Sequence, residues 1–279
     1  HTAGHEVVLL DLNEAHLNAI NADGLRVDWD DRTEHLPIPA MRPDQAPQVD
    51  LVILLTKTMH SNAALQSIAP LIDAGACVLT LQNGLGNVER VRIQVPDEQV
   101  LFGCTMTPGD LRGPGHVASH GMAYTPFDAL TQDGPAAQLA EKLNGDQMSW
   151  TSAAAAQVWQ KAAFNCAMNA TAVLGAGTVG AIAEHVGAGL ARDIAAEVLA
   201  VGKAEGVTGD IDAVAKQIDF ALREHTGHKP SMLQDVEAGR RTEIESLNGY
   251  VEQAAARHGI DAPMNRLLAA LVRMRESQN

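Results

Sequence analysis

The chain has 279 residues, 46% hydrophobic but only 3% aromatic, and a formal net charge of −14. That length accommodates two domains or one large one, and the core must be built from Ala, Val, Leu and Ile, which suits an α/β protein rich in helix. The acidic balance argues against nucleic acid as a partner, and no apolar run approaches the roughly 18–20 residues needed to span a bilayer.

The three cysteines, Cys77, Cys104 and Cys166, lie far apart with no CxxC pattern. They read as buried thiols of a reducing, cytoplasmic compartment. No signal peptide, repeat or low-complexity tract is visible.

The first residues read as the end of a helix and its turn, with Gly4 available as a C-cap. Residues 7–11 follow as a short buried strand closing on Asp11, and residues 13–20 as a helix. An acidic residue at the end of a second strand is where a dinucleotide-binding βαβ unit holds the adenosine ribose hydroxyls. The glycine fingerprint of such a unit belongs about 20 residues upstream of that acid. The sequence has no room for it, so an N-terminally incomplete dinucleotide-binding domain is expected. Short, Pro-containing polar pieces continue to Gln48.

Residues 51–55 form a continuous apolar run of the kind a two-sided parallel sheet buries, ending in Thr56 and Lys57. Residues 63–72 carry helical spacing, and Pro70 should break or kink that helix. Residues 77–81 are another buried strand, followed by Gln82-Asn83-Gly84-Leu85-Gly86-Asn87. Asn-Gly between apolar runs can mark a hairpin. The alternation of strand, helix and strand favours a strand-end loop instead. Ligands of parallel sheets bind beyond the carboxyl ends of strands, where Asp11, Lys57 and Asn83 all fall.

Residues 100–105 are a further strand. The segment from Gly109 to about Asp146 reads as late strands and a helix completing the sheet, with turns at Pro126-Phe127 and at residues 132–135. From about Ser152 alanine rises and helical patterns take over. The domain division is placed there: 1–152 for the sheet domain and 153–279 for an all-helical domain.

Within the second part, Lys161, Asn165 and Asn169 are spaced by four in an otherwise small and apolar helix. That spacing puts an ammonium and two amides on one stripe. Buried, each amide needs a partner, at about 2–7 kcal/mol if it has none. A polar substrate could be that partner; a solvated surface stripe is the plain alternative. Residues 188–204 continue the helical pattern. Ser231 sits where an N-cap belongs. A long helix is expected from about Met232 to His258 and a last one over residues 265–275. Glu243, in Arg240-Arg241-Thr242-Glu243-Ile244-Glu245, reads on its own as a solvated carboxylate.

Three segments together resemble the ketopantoate reductases. They are Leu54-Leu55-Thr56-Lys57 leading to Thr80-Leu81-Gln82-Asn83-Gly84-Leu85-Gly86-Asn87, Trp159-Gln160-Lys161 with Asn165 and Asn169, and Pro230-Ser231-Met232-Leu233-Gln234-Asp235 running into Arg240-Arg241-Thr242-Glu243-Ile244-Glu245-Ser246-Leu247-Asn248-Gly249. The resemblance implies a Rossmann-like parallel sheet domain followed by a helical domain, with the site between them. It implies hydride transfer from reduced NADP or NAD to the ketone of a branched 2-oxo acid. Lys161 matches the proton donor, and Asn165, Asn169 and Ser231 match substrate-binding positions. Glu243 matches an acid at the junction of substrate and cofactor, while Lys57, Asn83 and, more loosely, Gly109 match cofactor-contacting positions.

The residue types suit that chemistry. Hydride arriving at a ketone leaves an alkoxide, which a lysine ammonium can polarise and protonate. Two departures bear on the substrate and cofactor. The family's further Asn after the lysine helix is replaced here at Val179-Gly180. Asp11 would accept hydrogen bonds from a free 2′-hydroxyl and repel a 2′-phosphate, favouring NADH in a family that leans to NADPH.

The alternative is an NAD-dependent D-2-hydroxyacid dehydrogenase of the same family. A nonenzymatic dinucleotide sensor would not need the Lys161 stripe or the Ser231–Glu243 segment. His225 with His228, and His116 with His120, have metal-site spacings but no evident third ligand, and read as loop histidines. The long C-terminal helices permit a homodimer.

Overall fold

The computed structural model describes residues 1–121 and 124–278. Its first half is built on a five-stranded sheet in which Leu51–Leu54, Cys77–Thr80 and Val100–Gly103 run parallel and side by side. Thr125–Ala129 joins Val100–Gly103 antiparallel, and Met148–Trp150 closes the far edge parallel to Thr125–Ala129. Alternating residues of these strands enter two different cores. Val78 and Val100 face Leu65, Ile72 and Val91, while Cys77, Leu79, Leu101 and Phe127 face Ala136 and Ala140 of the helix Pro135–Leu143.

The short strand Leu9–Leu10 pairs parallel with Ala40–Met41 in a separate two-stranded sheet. The helix Glu14–Asp23 follows it, capped by Asn13, whose side chain accepts from the His16 amide. The expected break at Pro70 falls at Ile68, between the helices Ser61–Ser67 and Ala69–Asp73.

Three local expectations are corrected. The polar pieces before Gln48 contain strands, and the segment after Gly109 completes the main sheet only from Thr125 onward, through Thr125–Ala129, Pro135–Leu143 and Met148–Trp150. Leu25–Asp28, Thr33–Leu36, Asp110–Gly113 and His116–Ala118 form a four-stranded sheet of their own. Its polar faces are held by side-chain bonds rather than burial: Asp28 pairs with His116 Nε2 at 2.6 Å and accepts from Thr33 at 2.8 Å. Pro126-Phe127 is strand, not turn, because Phe127 is fully buried in the sheet core. The helix expected over 232–258 is three pieces, Ser231–Glu237, the 3₁₀ turn Ile244–Ser246 and Asn248–His258. Gly239, with φ of 65°, turns the chain after the first piece, and Arg240 N returns to Asp235 O.

Helices dominate after the last strand, beginning with Ala154–Gly175. This helix packs on Gly187–Ala204, Ile211–Glu224, Ser231–Glu237 and Pro263–Glu276 and, on its other side, against strands Val100–Gly103 and Thr125–Ala129. Its buried positions include Ala162, Ala163, Ala167, Ala170 and Ala172, small residues that let neighbours approach closely. Among the described residues no single helix is long and apolar enough to cross a membrane.

Candidate active site

The Asn83–Asn87 loop leaves the Cys77–Thr80 strand and docks on the helical half. Gly84 takes φ of 86°, and a Cβ there would lie 2.4 Å from the Ser246 carbonyl oxygen. Leu85 N donates to that same oxygen at 2.6 Å. Asn87 closes the loop, its amide donating to the carbonyls of Gln82, Asn83 and Gly84. Ser246 Oγ bonds Thr58 Oγ1 at 2.8 Å and accepts from Arg90 at 3.0 Å. The sheet half and the 243–247 segment are thus fixed to one another, and a cleft opens between them.

That cleft encloses about 220 Å³, part of it open to solvent, and is lined by Asn83, Asn165, Asn169, Ser231, Met232, Asp235, Glu243 and Leu247. Five residues singled out from three distant stretches of sequence therefore share one wall. The side chains of Asn83, Asn165 and Ser231 form no hydrogen bond among the described residues, and Asn169 has only a long 3.4 Å contact from the Met232 amide. Ser231 is not an N-cap. It is the first residue of its helix, Pro230 holds the cap position, and no side-chain cap bond forms. Its hydroxyl is free of any capping role and lies in the cleft wall.

Lys161 lies on the same helix stripe as the two amides. Its Nζ donates to the Thr105 carbonyl at 2.7 Å. Burial lowers its pKa from the ordinary lysine value, while Cys104 and Glu243 act in the opposite direction. Glu243 is not a solvated carboxylate. Its Oε1 accepts from the Thr58 amide at 3.1 Å, and burial pushes its pKa above the usual carboxylate range. The Thr58 amide and Lys57 oppose that rise, and Asp235 adds to it.

The remaining residues are placed as follows. Lys57 does not line the cleft but pairs with Asp235, which does. Asp11 is exposed beyond the end of Leu9–Leu10, its Oδ1 accepting from Asn13 N at 2.8 Å. Gly109 is exposed ahead of Asp110–Gly113 and does not line the cleft.

Sequence reasoning passed over Met232, Asp235 and Leu247 in the lining and the Thr105 carbonyl on Lys161. Asp235 was within reach, because it follows Ser231 by one helical turn and so shares its face. The Thr105 contact had no sequence signal. The histidine pairs are accounted for otherwise: His120 pairs with Asp30, and His225 stacks edge-on against Phe220.

The position of a nicotinamide dinucleotide can be tested against these residues. Asp11, Lys57 and Asn83 each follow the carboxyl end of a parallel strand, as such a ligand requires. The donor set also suits it, with a carboxylate for ribose hydroxyls, an ammonium for phosphate and an amide near the cleft. The residues fit the group.

Two family models cover the chain. "Ketopantoate reductase PanE/ApbA" matches residues 1–132, and "Ketopantoate reductase PanE/ApbA C terminal" matches residues 154–276. A 2-dehydropantoate 2-reductase of Streptococcus pyogenes serotype M1 is 34% identical over 280 residues, spanning 98% of this chain and 91% of the relative. A D-mandelate dehydrogenase solved with NADH and anilino(oxo)acetate superposes with a TM-score of 0.91 at 27% identity, covering 100% of this chain and 93% of that one. A PanE/ApbA family ketopantoate reductase from Ralstonia eutropha JMP134 gives 0.87 at 30% identity, covering 99% and 92%.

Proposed function

The chain belongs to the ketopantoate reductase family of nicotinamide-dependent oxidoreductases, and we propose that it reduces ketopantoate to pantoate, a step of pantothenate biosynthesis. The observation that carries this reading is the cleft itself. Asn165 and Asn169, from the helix that also presents Lys161, meet Ser231 and Glu243 there, and the side chains of Asn165 and Ser231 have no hydrogen-bond partner among the described residues.

The dinucleotide, when bound, supplies the hydride. Lys161 stabilises the oxygen on which negative charge develops and gives it a proton from Nζ. Burial makes that ammonium a stronger acid than an exposed lysine, and the Thr105 carbonyl keeps it aimed. Asn165, Asn169 and Ser231 hold the substrate carboxylate and hydroxyl without adding charge that would compete for the proton. Glu243, anchored by the Thr58 amide, orients the substrate hydroxyl and the ammonium. Asp11 favours NADH over NADPH by repelling a 2′-phosphate. The three free cysteines fit a reducing, cytoplasmic setting.

A second reading is supported by a specific observation. Met232 and Leu247 give the cleft apolar wall. A bulkier 2-oxo acid, reduced with NADH to a D-2-hydroxy acid, suits that lining, in line with the dehydrogenase neighbour. Steady-state kcat/KM for ketopantoate against phenylglyoxylate separates the two. Preference for ketopantoate supports the first; preference for the aryl acid moves the assignment to the second.

A further inference from the structure

Asp235 is nearly sealed from solvent, its side chain 3% exposed. It nevertheless holds two cations from different parts of the chain. Oδ2 accepts from the Lys57 ammonium, which arrives from the sheet half beyond Leu51–Leu54. Oδ1 accepts from Arg240 Nε at 3.0 Å, just past the end of its own helix. The same carboxylate lines the cleft beside Glu243.

A buried ion pair gives little net stability over an apolar pair of the same shape. Its value here lies in placement. Without Asp235, Lys57 is a long, flexible side chain on a loop. With it, the ammonium is fixed at the cleft, and the sheet half is tied to the helical half beside the loop bearing Glu243. Arg240 keeps Asp235 compensated while Lys57 also faces a ligand.

Building on the reductase reading, we infer that Asp235 is a positioning residue, holding the Lys57 ammonium at the cleft beside Glu243 so that ligand and acid meet a fixed charge. The charged groups around Glu243 are Lys57 and Asp235, with Lys161 and Arg90 coupled to it more weakly. Lys57 favours its ionised form and Asp235 disfavours it. Removing Asp235 takes away a repelling charge but also releases Lys57, so a positioning role makes its effect on Glu243 smaller when Lys57 is present than when it is absent, which two independent charges would not do.

The test is a titration of the Glu243 carboxyl carbon by NMR in the ¹³C-glutamate-labelled protein, with K57M and D235N beside the wild type. The resonance is assigned by its loss in E243Q. K57M is expected to raise the titration point, and D235N to lower it less in the wild type than in the K57M background. In kcat/KM for the preferred 2-oxo acid, the double variant should lose at least about fivefold less than the product of the two single losses, as contacting pairs do. An equal D235N shift in both backgrounds, or multiplicative losses, would overturn the assignment. If D235N does not fold, K57M alone decides, an upward shift supporting it and no shift refuting it. The titration needs no turnover, so inactivity on every 2-oxo acid would sink the reductase reading separately.

Discussion

The Lys161 ammonium is tied to the Thr105 carbonyl oxygen at 2.7 Å, bringing the first stripe residue of the helix Ala154–Gly175 against the segment that follows strand Val100–Gly103. Thr105 offers only a backbone acceptor, so the proton on Nζ is held without being neutralised. Lys161→Met removes both the charge and the proton. A loss of roughly 10²–10⁴ in kcat is expected, with little change in the KM for the reduced dinucleotide. Stopped-flow and steady-state rates check it.

The pH profile of kcat/KM should be a bell. Burial raises Glu243, so the acid limb lies above the ordinary carboxylate range. Burial lowers Lys161, so activity is lost on the alkaline side before an ordinary lysine would titrate. Glu243 itself works to keep Lys161 protonated. Glu243→Gln should therefore abolish the acid limb and move the alkaline limb to lower pH, as seen in rates across buffers of constant ionic strength.

Ser231→Ala should separate binding from folding. Its hydroxyl caps nothing, so the thermal midpoint should hardly move, while KM for the oxo acid rises by roughly 10–150-fold for a lost bond to a charged group. Asp210 is the contrast. It caps Ile211–Glu224 through the amides of Asp212 and Ala213, and Asp210→Ala should cost about 1 kcal/mol of stability with unchanged KM. Calorimetry and kinetics on both variants make the comparison.

Gly84→Ala asks a residue with a side chain to adopt φ of 86° and to place Cβ 2.4 Å from the Ser246 carbonyl. The variant should lose more than about 1 kcal/mol in urea unfolding and loosen the seam that carries Glu243.

Much of this was legible beforehand where the signal was periodic. The apolar run at 77–81 could only be a buried strand, and Lys161, Asn165 and Asn169 announced a polar stripe through their spacing alone, whereas the run at 51–55 forms the edge strand Leu51–Leu54 with Ile53 and Leu55 exposed. The small sheet of Leu25–Asp28, Thr33–Leu36, Asp110–Gly113 and His116–Ala118 was not legible. Its strands are short, charged and joined by pairings such as Asp28 with His116, and the one alternation, Leu25-Arg26-Val27-Asp28, is too brief to mark a strand. The continuous helix expected over 232–258 failed because apolar spacing persisted across Gly239, whose backbone turns the chain. Glu243 gains its burial from that break, which carries it off a helix surface and under the Thr58 amide. Asp235 had no reading of its own in the sequence, because its partner Lys57 lies far away in the chain and only the fold brings the two together.

The most direct measurement is the initial rate of reduced nicotinamide oxidation by the protein with ketopantoate, run with NADH and NADPH and repeated with Lys161→Met. The account predicts rapid turnover, faster with NADH, that all but vanishes in the variant. Turnover that survives the loss of Lys161, or none with any 2-oxo acid, would contradict it.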